Sequence, residues 1–293
     1  MLISVRIKSI LYFYIKKIMK KLLLFILCPM FLFGQTQIGQ DINGDIIGNN
    51  DDRIVNLSRD GKVLAVGSPS DDGVVESSGV VRVYENISGT WMKIGDDIEG
   101  DFKTGLFGSS VSLNSDGSII AIGSPGDNKG DYPGIVSTYK KIDGNWVQIG
   151  DNIVGDFNGN KFGNSLSLNS EGNIVAIGIP RYYENDSLFG EIKIFENING
   201  VWTQIGNTIK GKGVFGILSC SISLNSDGST VAIGEPESDV NYSGQVRVYK
   251  NINNTWTQIG ENINGSFGTH LGSSVSLSGD ANTLVIRNLD KFK

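Results

Sequence analysis

The stretch FGSSVSLNSDGSIIAIGSPGDNKGDYPGIVSTYKKIDGNWVQIG, residues 107–150, decides the fold. Val111 and Leu113 alternate with Ser110 and Ser112, and a period of two is the signature of a β-strand with one buried face. The next strand, Ile119 to Gly123, sets Ile120 and Ile122 on one face and Ala121 and Gly123 on the other. A bulky face backed by a bare one lets sheets stack closely, at the roughly 10 Å spacing of packed sheets. The Asn114-Ser115-Asp116-Gly117 turn between them suits a tight hairpin, because Asp and Gly tolerate positive φ. Two further strands follow, Ile135 to Tyr139 and Asn145 to Gly150, so the unit reads as four antiparallel strands.

The unit is repeated. Trp91, Trp146, Trp202 and Trp256 stand 55, 56 and 54 residues apart, each opening a W-x-x-I-G segment. The hairpin acids keep step as Asp60-Gly61, Asp116-Gly117, Glu171-Gly172 and Asp227-Gly228, with Asp280-Ala281 as a worn fifth. First-strand pairs recur as Val55 and Leu57, Leu166 and Leu168, Ile222 and Leu224, and Val275 and Leu277. A fixed period of this length marks a repeat architecture, and four-stranded units stacked around an axis make a β-propeller. The expectation is all-β: a propeller of about 55-residue blades, four complete copies plus a partial fifth. In that fifth copy Arg287 and Leu289 stand where glycine and proline are expected, and the third strand is missing. Two readings of closure follow: a strained five-bladed ring, or a C-terminally incomplete piece of a longer propeller with an uncapped edge.

Phe107-Gly108 precedes Gly123-Ser124-Pro125, and Phe162-Gly163 precedes Gly178-Ile179-Pro180, each pair 18 residues apart from Phe to Pro. The G-x-P element recurs at Gly67-Ser68-Pro69 and Gly234-Glu235-Pro236. On these residues the chain resembles the FG-GAP repeat family, known from integrin α-subunit propellers, as a bacterial-type secreted member. The aligned F-G pair is Asp51-Asp52, Leu218-Ser219 and Leu271-Gly272 in the other copies. The resemblance implies adhesion or ligand recognition by a secreted or cell-surface binding module. Its calcium loop does not carry over, because Asn114-Ser115-Asp116-Gly117-Ser118 offers too few of the roughly 6 to 8 oxygens calcium takes. No cofactor and no metal are therefore expected, and calcium at the loop acids Asp71, Asp72, Asp127 and Asp131 is the minor reading. The repeat-signature residues Phe107, Gly108, Gly123, Pro125, Phe162, Gly163, Gly178 and Pro180 are read as structural. So are Trp91, Trp146, Trp202 and Trp256, each paired with Tyr84, Tyr139, Phe195 or Tyr249 on the strand before.

Residues 1–34 read as a signal peptide. They carry Arg6, Lys8, Lys16, Lys17, Lys20 and Lys21 and no acid, and the twelve-residue apolar run Leu22 to Phe33 ends at Gly34. Met19 would open a compact signal by itself. At about 1.5 Å per residue the run is shorter than a roughly 30 Å hydrocarbon core, so no stable membrane span is expected after cleavage. Residues 35–293 then form the propeller, secreted or at the cell surface. They hold 19 basic residues against 31 acids, an acidic surface that argues against nucleic acid as a partner. An extracellular protein or glycan is the expected partner. With one histidine, His270, and no clustered cysteines, the chain lacks the ingredients of most zinc sites and triads. Catalytic residues are accordingly read as none, and the chain as non-enzymatic. The alternative is a carbohydrate-active hydrolase or lyase with a carboxylate site in the propeller funnel.

Overall fold

The computed structural model describes residues 37–42, 54–126, 132–184, 187–211, 221–238 and 241–288. It divides into two units, Met1–Gln40 and Asp41–Lys293, and every strand lies in the second. The leader, the Asp51-Asp52 and Leu218-Ser219 pairs, and Asp127 and Asp131 fall outside the described residues.

No helix occurs among the described residues, and the strands group into blades as the repeat requires. The first blade is β1 (Ile54–Leu57), β2 (Val63–Ser68), β3 (Val80–Ile87), β4 (Thr90–Lys93) and β5 (Ile98–Glu99). The second is β6 (Ser110–Leu113), β7 (Ile119–Ser124), β8 (Ile135–Ile142), β9 (Asn145–Gln148) and β10 (Ile153–Val154). The third is β11 (Ser165–Leu168), β12 (Ile174–Glu184), β13 (Ser187–Ile198), β14 (Val201–Gln204) and β15 (Ile209–Lys210). The fourth is β16 (Ser221–Leu224), β17 (Thr230–Glu235), β18 (Gln245–Ile252) and β19 (Thr255–Asn264), and the hairpin β20 (Val275–Leu277) and β21 (Leu284–Ile286) takes the fifth place. Neighbours within each blade are antiparallel.

One element was not expected. After β4, β9 and β14 the chain bends at Gly95, Gly150 and Gly206, all at positive φ, and then returns to the same third strand as β5, β10 or β15. The outer strand is thus broken once by a residue only glycine fits easily. In the fourth blade it runs through as β19, with a register shift opposite Val246 and Val248.

Blades pack as the alternation requires, bulky face on small face. Ala65 and Val83 of the first blade meet Val111, Leu113, Ile120 and Ile122 of the second. Ala121 meets Leu168, Val175 and Ile177, and Ala176 meets Ile222, Leu224, Val231 and Ile233. Ala232 meets Val275 and Leu277. Fully burying each such side chain contributes about 1.5–3 kcal/mol, so these joints hold the stack together. The serines between the bulky residues do more than alternate. The Leu113 amide donates to the Asn56 side chain, and the Leu168, Leu224 and Leu277 amides donate to the hydroxyls of Ser112, Ser167 and Ser223 at 2.9–3.0 Å. Each inner strand is therefore stapled to the one before it.

The hairpin acids titrate as part of these turns. Hydrogen bonds from Ser58 to Asp60, from Ser118 to Asp116 and from Ser229 to Asp227 hold these carboxyls below the ordinary range, helped by the amides two residues on. The Ser278 hydroxyl and the Asn282 amide bring Asp280 to about 2. Because the folded values lie below the unfolded one, this stabilisation is complete above the unfolded value near 3.8 and is lost as pH falls through the folded values. Urea midpoints are expected to be flat from neutrality to about pH 5 and to fall between roughly pH 4 and 2, with a smaller fall for Asp280→Asn. A midpoint unchanged down to pH 2 would contradict the turn geometry.

Candidate functional site

The inner strands β1, β6, β11, β16 and β20 converge, and the turns that leave them border an open axial cavity of about 430 Å³. Its wall is Leu57, Leu113, Leu168, Leu224 and Leu277, with a polar end made by Asn114, Ser115, Asn169, Ser170, Asn225, Ser226 and Ser278. The asparagines are fixed before any ligand arrives. The Asn114, Asn169 and Asn225 carbonyl oxygens accept from the amides of Ile119, Ile174 and Thr230 at 2.9–3.0 Å. The turns are also tied to one another: the amides of Asp60, Ser115, Ser170 and Ser226 donate in succession to the carbonyls of Ser115, Ser170, Ser226 and Gly279.

Arg59 completes that circuit from the other side. Its guanidinium donates to the Ser226 hydroxyl, and it lies where a side chain at Gly279 would otherwise be, 2.6 Å from the position of an added Cβ. Arg59, Ser115, Ser170, Ser226 and Gly279 hold the same place in successive copies, so one cation among small residues marks the cavity. Sequence reasoning passed over Arg59. The only signal was that one copy of the repeated turn reads Ser58-Arg59-Asp60-Gly61 where another reads Asn114-Ser115-Asp116-Gly117.

The described residues do not place the anticipated carboxylate site in this cavity. Among the described residues lining the cavity there is no Asp or Glu, and the neighbouring turn acids spend their oxygens on their own hairpins. His270 lies elsewhere, at φ 47° and with its ring 5.4 Å from that of Tyr242. Of the loop acids, Asp71 pairs with Arg82 at 3.1 Å and Asp72 accepts from the Ser77 amide at 2.8 Å. Among the described residues no group of three or more His, Cys, Asp or Glu is arranged to hold a metal ion.

The repeat-signature residues are gathered at the joints between blades. A Cβ on Gly123 would come within 2.1 Å of the Gly163 carbonyl oxygen, and one on Gly67 within 2.1 Å of that of Gly108. The Gly163 amide reaches the Gly178 carbonyl at 3.2 Å. Phe107 and Phe162 are buried, and each meets the ring of Tyr139 or Phe195 edge on, at 6.4 and 6.3 Å. Pro125 and Pro180 are buried as well. The tryptophans are not paired as expected. Strand register sets Trp91, Trp146, Trp202 and Trp256 opposite Asn86, Lys141, Asn197 and Asn251, two residues beyond the tyrosine or phenylalanine. Trp146 and Trp256 instead donate to the carbonyls of Ile94 and Ile205 in the preceding blade, and Trp202 donates to the Thr138 hydroxyl. Rim grooves of about 260 and 240 Å³ lie against Trp146, with Asp96, Asp97 and Glu99, and against Trp202, with Asp151.

A second polar cluster has no cavity. Arg247 and Glu235 are fully buried where the fourth blade faces the third. The Arg247 Nε donates to Glu235, Nη1 to the Tyr249 hydroxyl and Nη2 to the Lys210 carbonyl at 3.3 Å. The Gln245 amide donates to the remaining Glu235 oxygen at 3.0 Å. Burial pushes the Tyr249 hydroxyl up from its ordinary value.

No family model matches the chain, and no curated protein matches it. Among solved structures it is similar to a candidate 6-phosphogluconolactonase from Bacteroides uniformis, at 12% identity over 79% of this chain and 76% of that one, with a TM-score of 0.47. It is similar also to a periplasmic gluconolactonase of Pseudomonas aeruginosa, at 16% identity over 80% and 64%, TM-score 0.46. For the Dos1 propeller the values are 13%, 79% and 51%, with a TM-score of 0.49. The chain thus spans between half and three quarters of the length of these propellers, and at such identities the likeness is one of fold. The FG-GAP resemblance is corrected by these findings. In this chain its short motifs place glycines at the backbone-to-backbone contacts between blades and a buried phenylalanine next to them in sequence. The expectation of a non-enzymatic, integrin-like adhesion module rested on that resemblance and is corrected with it, no family model supporting it; the similar structures named here include a candidate lactonase and a gluconolactonase. Among the described residues no helix is long and apolar enough to cross a membrane.

Proposed function

We propose that the chain is an exported, carbohydrate-directed hydrolase that opens small sugar-derived lactones in the axial cavity. The observation that carries this reading is the composition of the cavity: preset amides and hydroxyls around a single guanidinium, in a volume suited to one sugar ring. Hydroxyl-rich ligands are recognised by such convergent donors and acceptors, and Arg59 supplies a fork for an oxygen that gains negative charge. Water adds to the lactone carbonyl carbon, the ring C–O bond breaks, and the departing ring oxygen takes a proton to become a hydroxyl. The acid that forms loses its proton to solvent, and its carboxylate rests against Arg59. Electrostatic stabilisation of the developing oxyanion is the protein's share. The lactonases among the similar propellers support the choice of substrate class to assay.

Hydrolysis of glucono-δ-lactone and its 6-phosphate, followed by acid release in weak buffer, tests this. Arg59→Gln is expected to lower kcat/KM about 100-fold, and Gly279→Ala, which displaces the guanidinium without touching the backbone, to reproduce part of that loss. The described residues lining the cavity include no His, Cys, Tyr, Asp or Glu to act as general base, so the rate is expected to climb with hydroxide and not to trace a bell. A bell-shaped profile, or an Arg59→Gln variant as active as the parent, would refute this assignment of the site.

A further inference from the structure

Two of the joints between blades carry a groove at the rim, and the two grooves are built alike. Asp96 and Asp151 each stand five residues after a repeat tryptophan, and each lines a groove with the tryptophan of the next blade. The first groove sets Asp96 and Glu99 against Trp146 and Asn145; the second sets Asp151 and Asn152 against Trp202. Both indoles are half-buried, and their N–H groups are committed to the joint: Trp146 donates to the Ile94 carbonyl at 3.2 Å and Trp202 to the Thr138 hydroxyl at 3.1 Å. Each ring is thereby fixed in place while part of its surface stays open to the groove. Among the described residues the Asp96 and Asp151 carboxylates accept no hydrogen bond and join no ion pair. The third joint is arranged differently. Asn207 holds the place of Asp96 and Asp151, its side-chain oxygen accepts from the Trp256 amide at 2.8 Å, and Trp256 is only 3% exposed. There the joint meets its own polar needs, whereas the first two leave an acceptor and an aromatic surface open.

We propose that the two rim grooves bind neutral glycans, one pyranose ring in each. A carboxylate accepts and does not donate, so its ligand must bring donors, and a fixed indole beside it requires that the same ligand bring an apolar face. A pyranose has both, with hydroxyls around its edge and C–H groups on its flat faces. Adjacent hydroxyls reach the two oxygens of Asp96 or Asp151, and the C–H face lies on the indole. Asn152 offers its side-chain N–H groups to the ring as well, since its oxygen already accepts from Ser137 and Gln148 at 2.8 Å. A cation fits less well, because an excess of acid is not common to the two grooves. The second holds Asp151 alone, and in the first Asp97 is already paired with Arg82 and Lys93. Neighbouring joints place both grooves on one rim, so a polymer that engages both is held more tightly than by either. The grooves share no lining residue with the axial cavity, and their assignment does not rest on the lactone reading.

A printed array of neutral, acidic and amino-sugar oligosaccharides, probed with the labelled full chain, tests this. Signal is expected on neutral glycans. Asp96→Asn or Asp151→Asn, each of which installs the residue of the third joint, is expected to lower the apparent affinity for the brightest neutral glycan about 10-fold, and the double variant to abolish binding. Asparagine keeps the size of the side chain, and melting curves confirm that the variants are folded. Arg59→Gln, in the axial cavity, is expected to bind the array as the parent does. A parent chain that binds no neutral glycan, signal confined to amino-sugar oligomers, a double variant that binds as the parent does, or binding lost in Arg59→Gln would overturn the proposal. Lactone turnover plays no part in the readout, so the outcome is independent of the proposed activity.

Discussion

Replacing Glu235 with alanine is expected to lower unfolding stability by about 3–5 kcal/mol, the usual cost of stranding one member of a buried ion pair. Arg247 would remain wholly buried, with only the Tyr249 hydroxyl and the Lys210 carbonyl as acceptors. Arg247→Ala should cost a similar amount by stranding the carboxylate. Replacing the two together, Glu235→Met with Arg247→Leu, removes both charges from the buried joint and is expected to restore most of the stability. Urea denaturation of the three variants, monitored by tryptophan fluorescence, provides the check. A double variant as unstable as either single one would show that the pair is not the unit that matters.

Gly123→Ala is expected to cost about 4 kcal/mol or to prevent folding, an exceptional loss for adding one methyl group. The methyl group would meet the Gly163 carbonyl oxygen at 2.1 Å and the Ser110 hydroxyl at 2.2 Å. The Ser110 side chain can rotate away, but the Gly163 carbonyl belongs to the next blade's backbone and can retreat only if the joint opens. Gly144→Ala is the matched control: it lies in a hairpin with open space around it, and only its φ of 85° resists a side chain. That variant is expected to lose about 1–2 kcal/mol, the cost of a left-handed backbone for a non-glycine residue. Equal losses at the two positions would remove close approach as the reason for glycine at 123.

Much of the fold was legible because it depends on local periods. Alternation at Val111 and Leu113, the Asp116-Gly117 turn and the tryptophan spacing locate strands, hairpins and repeat without reference to anything distant. The break in the outer strand was less legible, since Ile149-Gly150 reads as the continuation of a strand until the pairing of Ile153 with Val136 is seen. The aromatic pairing failed for the same reason: register decides which residues face each other, and register is set by the turn, two residues away from where sequence alone placed it. The candidate site was the least legible. It is assembled from residues some 55 apart whose side chains are unremarkable one at a time, and Arg59 gains meaning only beside Ser226 and Gly279. Glu235 and Arg247 were hidden within strand patterns because alternation reports which way a side chain points and says nothing of its partner. The F-G and G-x-P motifs were read as pedigree, whereas in the structure their glycines lie where one blade's backbone closely approaches the next, as Gly123 does Gly163.

The circuit of turn-to-turn bonds from Asp60 to Gly279 has one further consequence. Three of its four links join a residue to its counterpart one copy later, and the fourth, Asp60 to Ser115, is one residue out of step, so the chain can gain or lose a 55-residue unit without inventing a new kind of contact. What changes is the girth of the central void. The lumen's width is thereby a matter of copy number, and its chemistry a matter of which residue each copy places where Arg59 stands.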